Sequence, residues 1–94
     1  MNDPIAVLVT TSFKGVFFGY TTDSIRAPSI YLTGCRMAVA WSADVRGIIG
    51  LAAAGPTKKC RISQGADGIV HNITAVWLCT PKAIKAWEVA PWSV

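Results

Sequence analysis

The basic side chains of this 94-residue chain are concentrated in its middle, around a tryptophan. Arg36 and Arg46 flank Trp41, and two lysines and an arginine follow within residues 58–61. Guanidinium and ammonium groups are the side chains that bind phosphate most strongly. With a formal net charge of +4, this distribution favours an anion-binding patch. The alternative is that these charges are solvated and only keep an apolar protein in solution.

A glycine-rich segment runs through the same region, from Arg46 to Lys59, and reads RGIIGLAAAGPTKK. Its backbone N–H groups, the Thr57 hydroxyl and two lysine ammonium groups could converge on a phosphate. The segment matches neither the P-loop, which ends in Gly-Lys-Ser/Thr, nor the GxGxxG motif of dinucleotide-binding domains. Alternatively, its three glycines mark strand bends and places where two chain segments approach closely.

Aromatic side chains make up 10% of the chain and are a second resource for ligand binding. Phe17 and Phe18 are adjacent in a strand-like segment, so their side chains must point to opposite faces. One of them therefore does not face the primary core, and we expect it to fill a subunit interface or to offer a stacking surface for a base. A nucleic-acid polymer is not the expected ligand, because one compact basic cluster supplies few phosphate contacts.

Groups for catalysis or metal binding are sparse. His71 is the only histidine, and its setting in VHNIT predicts a strand. The five carboxylates form no pair at a useful spacing, as acid and base catalysis would require. Cys35, Cys60 and Cys79 lack CxxC spacing and are expected to be buried, reduced thiols. We therefore expect no enzymatic activity, no cofactor and no metal site.

The composition predicts self-association. The chain is 52% hydrophobic and 15% charged, whereas an average domain has about 25% charged residues. Residues 1–94 make one small domain, so apolar surface must remain outside, and a second copy is the usual way to cover it. The longest charge-free run, Gly68 to Pro81, is too short for a membrane span. The first residues do not form a signal peptide, so we expect a cytoplasmic protein.

The order of apolar and polar residues predicts a mainly β fold. Ile5–Thr11 and Gly15–Thr22 read as a β-hairpin, followed by a loop with Arg26 at its tip. Ser29–Trp41 reads as a strand with a bulge or bend at Gly34, in which Arg36 and Trp41 face opposite sides. Three further strands are predicted over Gly47–Ala54, Lys59–Ser63 and Ile69–Thr80, and in the second of them Cys60 and Ile62 should point inward. The predicted turns are 42–44 and 64–68.

The single predicted helix lies near the C-terminal end. Thr80 is suited to its N-cap and Pro81 to its first position, and Ile84 and Trp87 share a stripe that should pack on the sheet. The predicted architecture is mainly β within the α+β class. It is a five- to six-stranded antiparallel sheet or small barrel with one C-terminal helix.

The segments GVFFGY, RMAVAWSADVRGIIGLAAAGPTKKCRI, ITAV and AIKAWE together resemble a family of short phage and prophage proteins of about this length. The resemblance covers the chain from Gly15 to Glu88, and its most specific part lies between Trp41 and Arg61. That family has no assigned enzymatic activity. Small phage proteins of this kind include sponges that sequester the nucleotide messengers of bacterial antiphage defence, such as cyclic dinucleotides in the anti-CBASS class, and the chain is similar to those.

The resemblance implies a phage-encoded immune-evasion protein that binds a nucleotide messenger of the cyclic dinucleotide class without cleaving it, in the cytoplasm of the bacterial host. It also implies an oligomer, with a tetramer expected, whose ligand pockets lie between subunits. Aromatic rings would stack on bases and cations would bind phosphates. The predicted pocket residues are Tyr20, Arg36, Trp41, Arg46, Thr57, Lys58, Lys59 and Arg61. The alternative is a non-enzymatic structural or interaction protein of a phage, such as a virion component or an inhibitor of a host protein.

Overall fold

A computed structural model describes residues 3–12 and 15–91, which form a mainly β fold with six antiparallel strands and two α-helices. In chain order the elements are β1 (Ile5–Thr11), β2 (Val16–Thr21), β3 (Ile30–Ala40), a 3₁₀ turn (Ala43–Val45), α1 (Gly47–Ala53), β4 (Arg61–Ile62), β5 (Ala66–Val70), β6 (Ile73–Leu78) and α2 (Pro81–Val89). The predicted fold class, with an antiparallel sheet and a C-terminal helix, is confirmed.

The predicted hairpin forms because β1 and β2 are both rich in β-branched and aromatic residues that suit a pleated sheet. Val9 lies opposite Phe17 and Leu8 lies opposite Phe18. β2 also pairs with β3, and β1 pairs with β6 on its other side. The strand order across the sheet is β4-β3-β2-β1-β6, and β5 pairs with β3 beside β4.

The sheet is strongly curled but open. β5 and β6 lie at opposite edges, although only His71 and Asn72 connect them. Three peptide steps between Val70 and Ile73 span at most about 11 Å, whereas four strand spacings of a flat sheet cover about 19 Å. The two edges must therefore bend toward each other. Within the described residues no ladder of hydrogen bonds joins β5 to β6, so the sheet does not close into a barrel.

The longest strand, β3, contains the predicted irregularity at Gly34. This glycine has a φ of 58°, and the pairing with β5 shifts register between Leu32 and Cys35. An extra residue in a strand changes the face to which all later side chains point. Leu32 and Cys35 consequently share one face, whereas Arg36 lies opposite Phe18 on the other.

The curl gives the sheet two apolar clusters, one on each face. On the convex face, α1 and α2 cover a cluster drawn from the strands and both helices. Its largest buried members are Leu8, Phe18, Leu51, Ile62 and Trp87. On the concave face a smaller cluster comes from the strands and consists of Val7, Val9, Ile30, Leu32 and Val70. Phe17 packs against this second cluster, so the phenylalanine that turns away from the main core has a partner within its own chain.

The prediction of a strand over Gly47–Ala54 is wrong, because Gly47–Ala53 forms α1. Ile48, Leu51 and Ala52 face the sheet at the i, i+3, i+4 spacing of a helix. A Cβ atom at Gly50 would lie 1.6 Å from the Val45 carbonyl oxygen. Gly50 is thus needed for a close approach of two chain segments, which is the alternative interpretation given above for the glycines of this segment. The fold therefore has a second helix besides the C-terminal one.

The prediction of one long strand over Ile69–Thr80 is also wrong. Asn72 adopts a left-handed conformation with a φ of 57° between β5 and β6, and asparagine tolerates that conformation well. Because β5 begins at Ala66, the predicted turn at 64–68 is shorter than expected. The predicted strand at 59–63 is reduced to β4, where Ile62 is buried and Arg61 exposed, as the alternation predicts.

The C-terminal helix follows the prediction in detail. The Thr80 hydroxyl accepts a hydrogen bond from the Ala83 N–H at 3.1 Å and donates one to the Ala53 carbonyl at 2.6 Å. Trp87 is fully buried and stacks on Phe18, with ring centroids 5.1 Å apart. In the part of the chain that the structure describes, no helix has the length and apolar character needed to cross a membrane.

Candidate binding surface

The C-terminal end of β3 brings the predicted stacking residue next to a predicted phosphate ligand. Trp41 directly follows β3, and Arg61 in β4 lies opposite Ala40 in the register. The indole and the guanidinium therefore start from neighbouring backbone positions. Both side chains are exposed, Trp41 to 37%, so they are accessible to a ligand.

The interactions of the Asp44 carboxylate show that the loop after α1 lies close to the 3₁₀ turn. Its carboxylate accepts a hydrogen bond from the Ser42 hydroxyl. That bond is the largest cause of a lowered Asp44 pKa, and the Thr57 hydroxyl and the Lys59 ammonium group lower it further. Residues 57–59 are consequently close to residue 44, although 13 or more positions separate them in the sequence.

Local hydrogen bonds fix the loop that carries the two lysines. The Cys60 N–H donates to the Thr57 carbonyl at 3.1 Å, and the Lys59 N–H donates to the Thr57 hydroxyl at 3.4 Å. Cys60 points toward the convex core, whereas Lys58 and Lys59 are exposed. We refer to the exposed residues of this region as the 41–61 surface, which consists of Trp41, Asp44, Arg46, Thr57, Lys58, Lys59 and Arg61.

Two shallow pockets border the 41–61 surface. The first, of about 360 Å³, lies between Trp41 and Ile48 on one side and the Thr10 end of the hairpin on the other. The second, of about 270 Å³, lies between Thr57, Lys58 and the C-terminal half of α2. Ligand pockets usually have volumes of about 300 to 1,000 Å³. Each pocket is thus near the lower end of the range, and one subunit offers a shallow site.

Tyr20 and Arg36, the other two predicted ligand residues, lie against the last turn of α2. The Tyr20 hydroxyl donates a hydrogen bond to the Glu88 carboxylate. Burial is the largest cause that raises the Tyr20 pKa to about 12, and this bond adds to it. Arg36 donates to the Trp87 carbonyl at 2.6 Å and to the Ser63 carbonyl at 2.9 Å. Six of the eight predicted residues therefore belong to the 41–61 surface, whereas Tyr20 and Arg36 contact α2.

Sequence reasoning missed a crevice on the concave face of the sheet. It has a volume of about 280 Å³, adjoins another of about 230 Å³, and is lined by Phe17, Cys35, Gly68 and His71 among others. The crevice depends on the pairing of β3 with β5, which joins segments more than 30 residues apart, and no local pattern announces such a pairing. His71, expected in a strand, is exposed in the turn between β5 and β6.

Two of the three thiols, Cys35 and Cys79, are poor nucleophiles. Burial raises the pKa of Cys79 to about 11, and burial with a contribution from Asp67 raises that of Cys35 to about 11. Both thiols are therefore neutral near pH 7, and the thiolate is the reactive form. All three cysteines are free and partly buried. Among residues 3–12 and 15–91, no group of three or more His, Cys, Asp or Glu side chains is arranged to hold a metal ion.

Comparison with known proteins identifies a family but no activity. Residues 5–87 match the model of the family described as "Domain of unknown function (DUF6948)". No curated protein and no solved structure matches the chain. The match includes every strand, the 3₁₀ turn, α1 and most of α2.

Proposed function

The chain belongs to the DUF6948 family, whose function is unknown, and we propose that it binds a small anionic nucleotide and holds it without cleaving it. The proposal extends to the role that the sequence resemblance suggests. In that role the protein is made by a phage and sequesters a messenger of the cyclic dinucleotide class in the cytoplasm of a bacterial host. The site is the 41–61 surface, and a second subunit encloses the ligand.

The observation that supports the proposal is that four exposed cations and an exposed indole lie on segments that the fold brings close together. Arg46 precedes α1, Lys58 and Lys59 lie in the loop after it, Arg61 lies in β4, and Trp41 follows β3, which pairs with β4. Cations hold phosphate oxygens through charge-assisted hydrogen bonds. An indole offers a stacking face for a base, which is worth about 1–3 kcal/mol per base in single-stranded nucleic-acid binding.

Asp44 would divide the surface into a phosphate part and a base or sugar part. Its carboxylate, whose pKa is lowered, is ionised at neutral pH, so a phosphate placed directly against it would be repelled. We therefore place the phosphates toward Arg46 and Arg61, away from Asp44, and the base toward Trp41.

A partner subunit is part of the proposal because the pockets of one chain are shallow. The two pockets at this surface, of about 360 and 270 Å³, are open, and tight small-molecule sites bury about 70–90% of the ligand. Exposed apolar side chains next to the surface, Ile49 at 62% and Val89 at 70%, offer contacts for the second chain. Tyr20 and Arg36 already form hydrogen bonds with other groups of the protein. Their role as ligand residues stays a prediction.

The test is a thermal-shift screen of the full chain against cyclic dinucleotides, linear dinucleotides and ADP-ribose derivatives, because a tight ligand raises the melting temperature by mass action. The Lys59→Ala and Arg61→Ala variants should reduce the shift, each weakening affinity by about tenfold or more. Lys82→Ala in α2 and Arg26→Ala before β3 are matched controls at exposed positions outside the surface, and they should leave the shift unchanged. A screen without any shift would contradict the proposal.

A second candidate is a non-enzymatic interaction protein, and the exposed apolar side chains favour it. Ile49, Ile69, Leu78 and Val89 are each at least 59% exposed. The discriminating experiment is a pull-down from host lysate with the wild-type chain and the Ile49→Lys variant. A stoichiometric protein partner that the variant loses, together with the absence of a nucleotide shift, would favour this candidate over sequestration.

A further inference from the structure

The last strand of the sheet, β6, presents an unpaired edge whose one usual protection is a register irregularity near its start, opposite Thr10 and Thr11. It pairs with β1 along one side, and among the described residues no strand lies along its other side. Its sequence, ITAVWL, contains no charge, proline or glycine. An exposed edge of this kind is a template for pairing with another strand.

The opposite edge of the sheet is protected in three ways. β4 has only two residues, one of which is Arg61, and β5 carries Asp67 and Gly68 in its middle. Short strands, charged side chains and glycine all discourage pairing with another chain. The contrast indicates that the β6 edge beyond the turn at His71 and Asn72 is left open for a partner, since the same fold blocks its other edge.

Exposed apolar side chains lie along this edge and on the neighbouring strand. Trp77 is 37% exposed and Leu78 62% exposed, and Ile5, on the neighbouring strand β1, is 43% exposed. Leu78 lies opposite Val7, so Leu78 and Ile5 lie near each other on the same face. Together with Pro4 and Ile84, these two residues also line a pocket of about 400 Å³.

We propose that β6 pairs with β6 of a second copy of this chain, antiparallel and about a two-fold axis, so that one sheet continues through the dimer. An antiparallel strand is complementary to itself, which a two-fold interface requires. The chain carries a net charge of +4, yet residues 68–81 have no formal charge. Two copies can therefore meet along β6 without the repulsion that their basic surfaces would cause. This interface goes beyond the proposed function and does not depend on a nucleotide.

The test is the mass of the full-length protein in solution, measured by light scattering after size exclusion from 1 to 100 µM, with Leu78→Lys as the disrupting variant. A lysine there would put a charged group into the apolar contact of the paired strands, and its desolvation should weaken association by about 100-fold. Ile25→Lys is the matched control, because Ile25 is 38% exposed in the loop between β2 and β3. The wild type and Ile25→Lys should have the same mass, at least that of a dimer, and Leu78→Lys should have half of it or less.

Hydrogen exchange of the wild-type protein supplies a second readout that needs no variant. The β6 amides that do not bond to β1 should be protected at high concentration and should lose that protection on dilution. If Leu78→Lys fails to fold, as judged by circular dichroism, Thr74→Lys at another exposed β6 position takes its place. A wild-type monomer at 100 µM, a folded β6 variant with the wild-type mass, or β6 protection that is the same at every concentration would overturn the proposal.

Discussion

The guanidinium of Arg36 donates a hydrogen bond of 2.6 Å to the carbonyl oxygen of Trp87, which joins the long strand β3 to the last turn of α2. The carbonyls at the end of a helix lack partners within it, and a cation there also interacts favourably with the helix dipole. Its Nε atom donates to the Ser63 carbonyl, next to β4. One arginine thus holds together three parts of the convex face.

Arg36→Lys should therefore destabilise the fold. A lysine has no planar fork and cannot make both bonds with the same geometry, so the loss should be about 1.5–3 kcal/mol in the free energy of unfolding. Urea denaturation measures it. Arg61→Lys, at an exposed position, should change the same quantity by less than about 0.5 kcal/mol. Should Arg36→Lys be as stable as the wild type but bind nucleotide weakly, Arg36 would belong to the ligand site instead.

Gly55→Ala should destabilise the junction of α1 and α2. Gly55 has a φ of 82°, and a Cβ atom there would lie 2.5 Å from the Ala86 Cβ and 3.0 Å from the Ala83 carbonyl oxygen. Overpacking and a strained backbone together should lower the melting temperature, with a cost of about 2–4 kcal/mol. Gly68→Ala is the control, because a Cβ there meets no atom within 4 Å. Equal melting temperatures for the two variants would show that the α1–α2 contact is looser than described.

Tyr20 should make the stability depend on alkaline pH. Its pKa is raised to about 12 in the folded chain, first by burial and then by Glu88, against an ordinary value of 10.0. The stability it contributes is fully present below pH 10 and is lost as the pH rises toward 12. In a titration of ultraviolet absorbance, the difference between wild type and Tyr20→Phe should show a midpoint near 12. A midpoint near 10 would mean that the Tyr20 hydroxyl is free in solution.

Asp44→Asn should strengthen the binding of an anionic ligand, in contrast to the lysine and arginine variants. The substitution removes the single acid of the 41–61 surface. At a separation of about 6 Å in water this corresponds to a gain of about threefold in affinity at low salt. Isothermal titration with the ligand found in the screen measures the change, and the gain should disappear in 1 M salt. A weaker complex at both salt concentrations would place a hydrogen bond from the ligand on Asp44.

Local patterns predicted the parts of the fold whose partners are near in sequence. The hairpin of β1 and β2 follows from two β-branched runs, the irregularity in β3 from Gly34, and the start of α2 from Thr80 and Pro81. In each case one residue or one short pattern determines the local conformation. The same reasoning explains why Phe17 and Phe18 were correctly assigned to opposite faces.

The errors lie where local patterns were ambiguous or long-range pairing decided the structure. Gly47–Ala54 is apolar throughout, so length and glycine content favoured a strand, although the spacing of Ile48, Leu51 and Ala52 fits a helix. The run from Ile69 to Thr80 stays apolar across the turn at Asn72, because both flanking strands are partly buried. The position of Arg36 against α2 depends on how the helix packs, and no sequence spacing contains that information.

The chain should hold a nucleotide and release it intact. Native mass spectrometry of the protein mixed with the ligand from the screen, followed by heat denaturation and chromatography of the released material, measures both properties. We expect a complex with one ligand per site and full recovery of the bound nucleotide unchanged, with less nucleotide bound by the Lys59→Ala variant. A ligand that is recovered cleaved, or the absence of a complex at any ligand concentration up to the millimolar range, would contradict it.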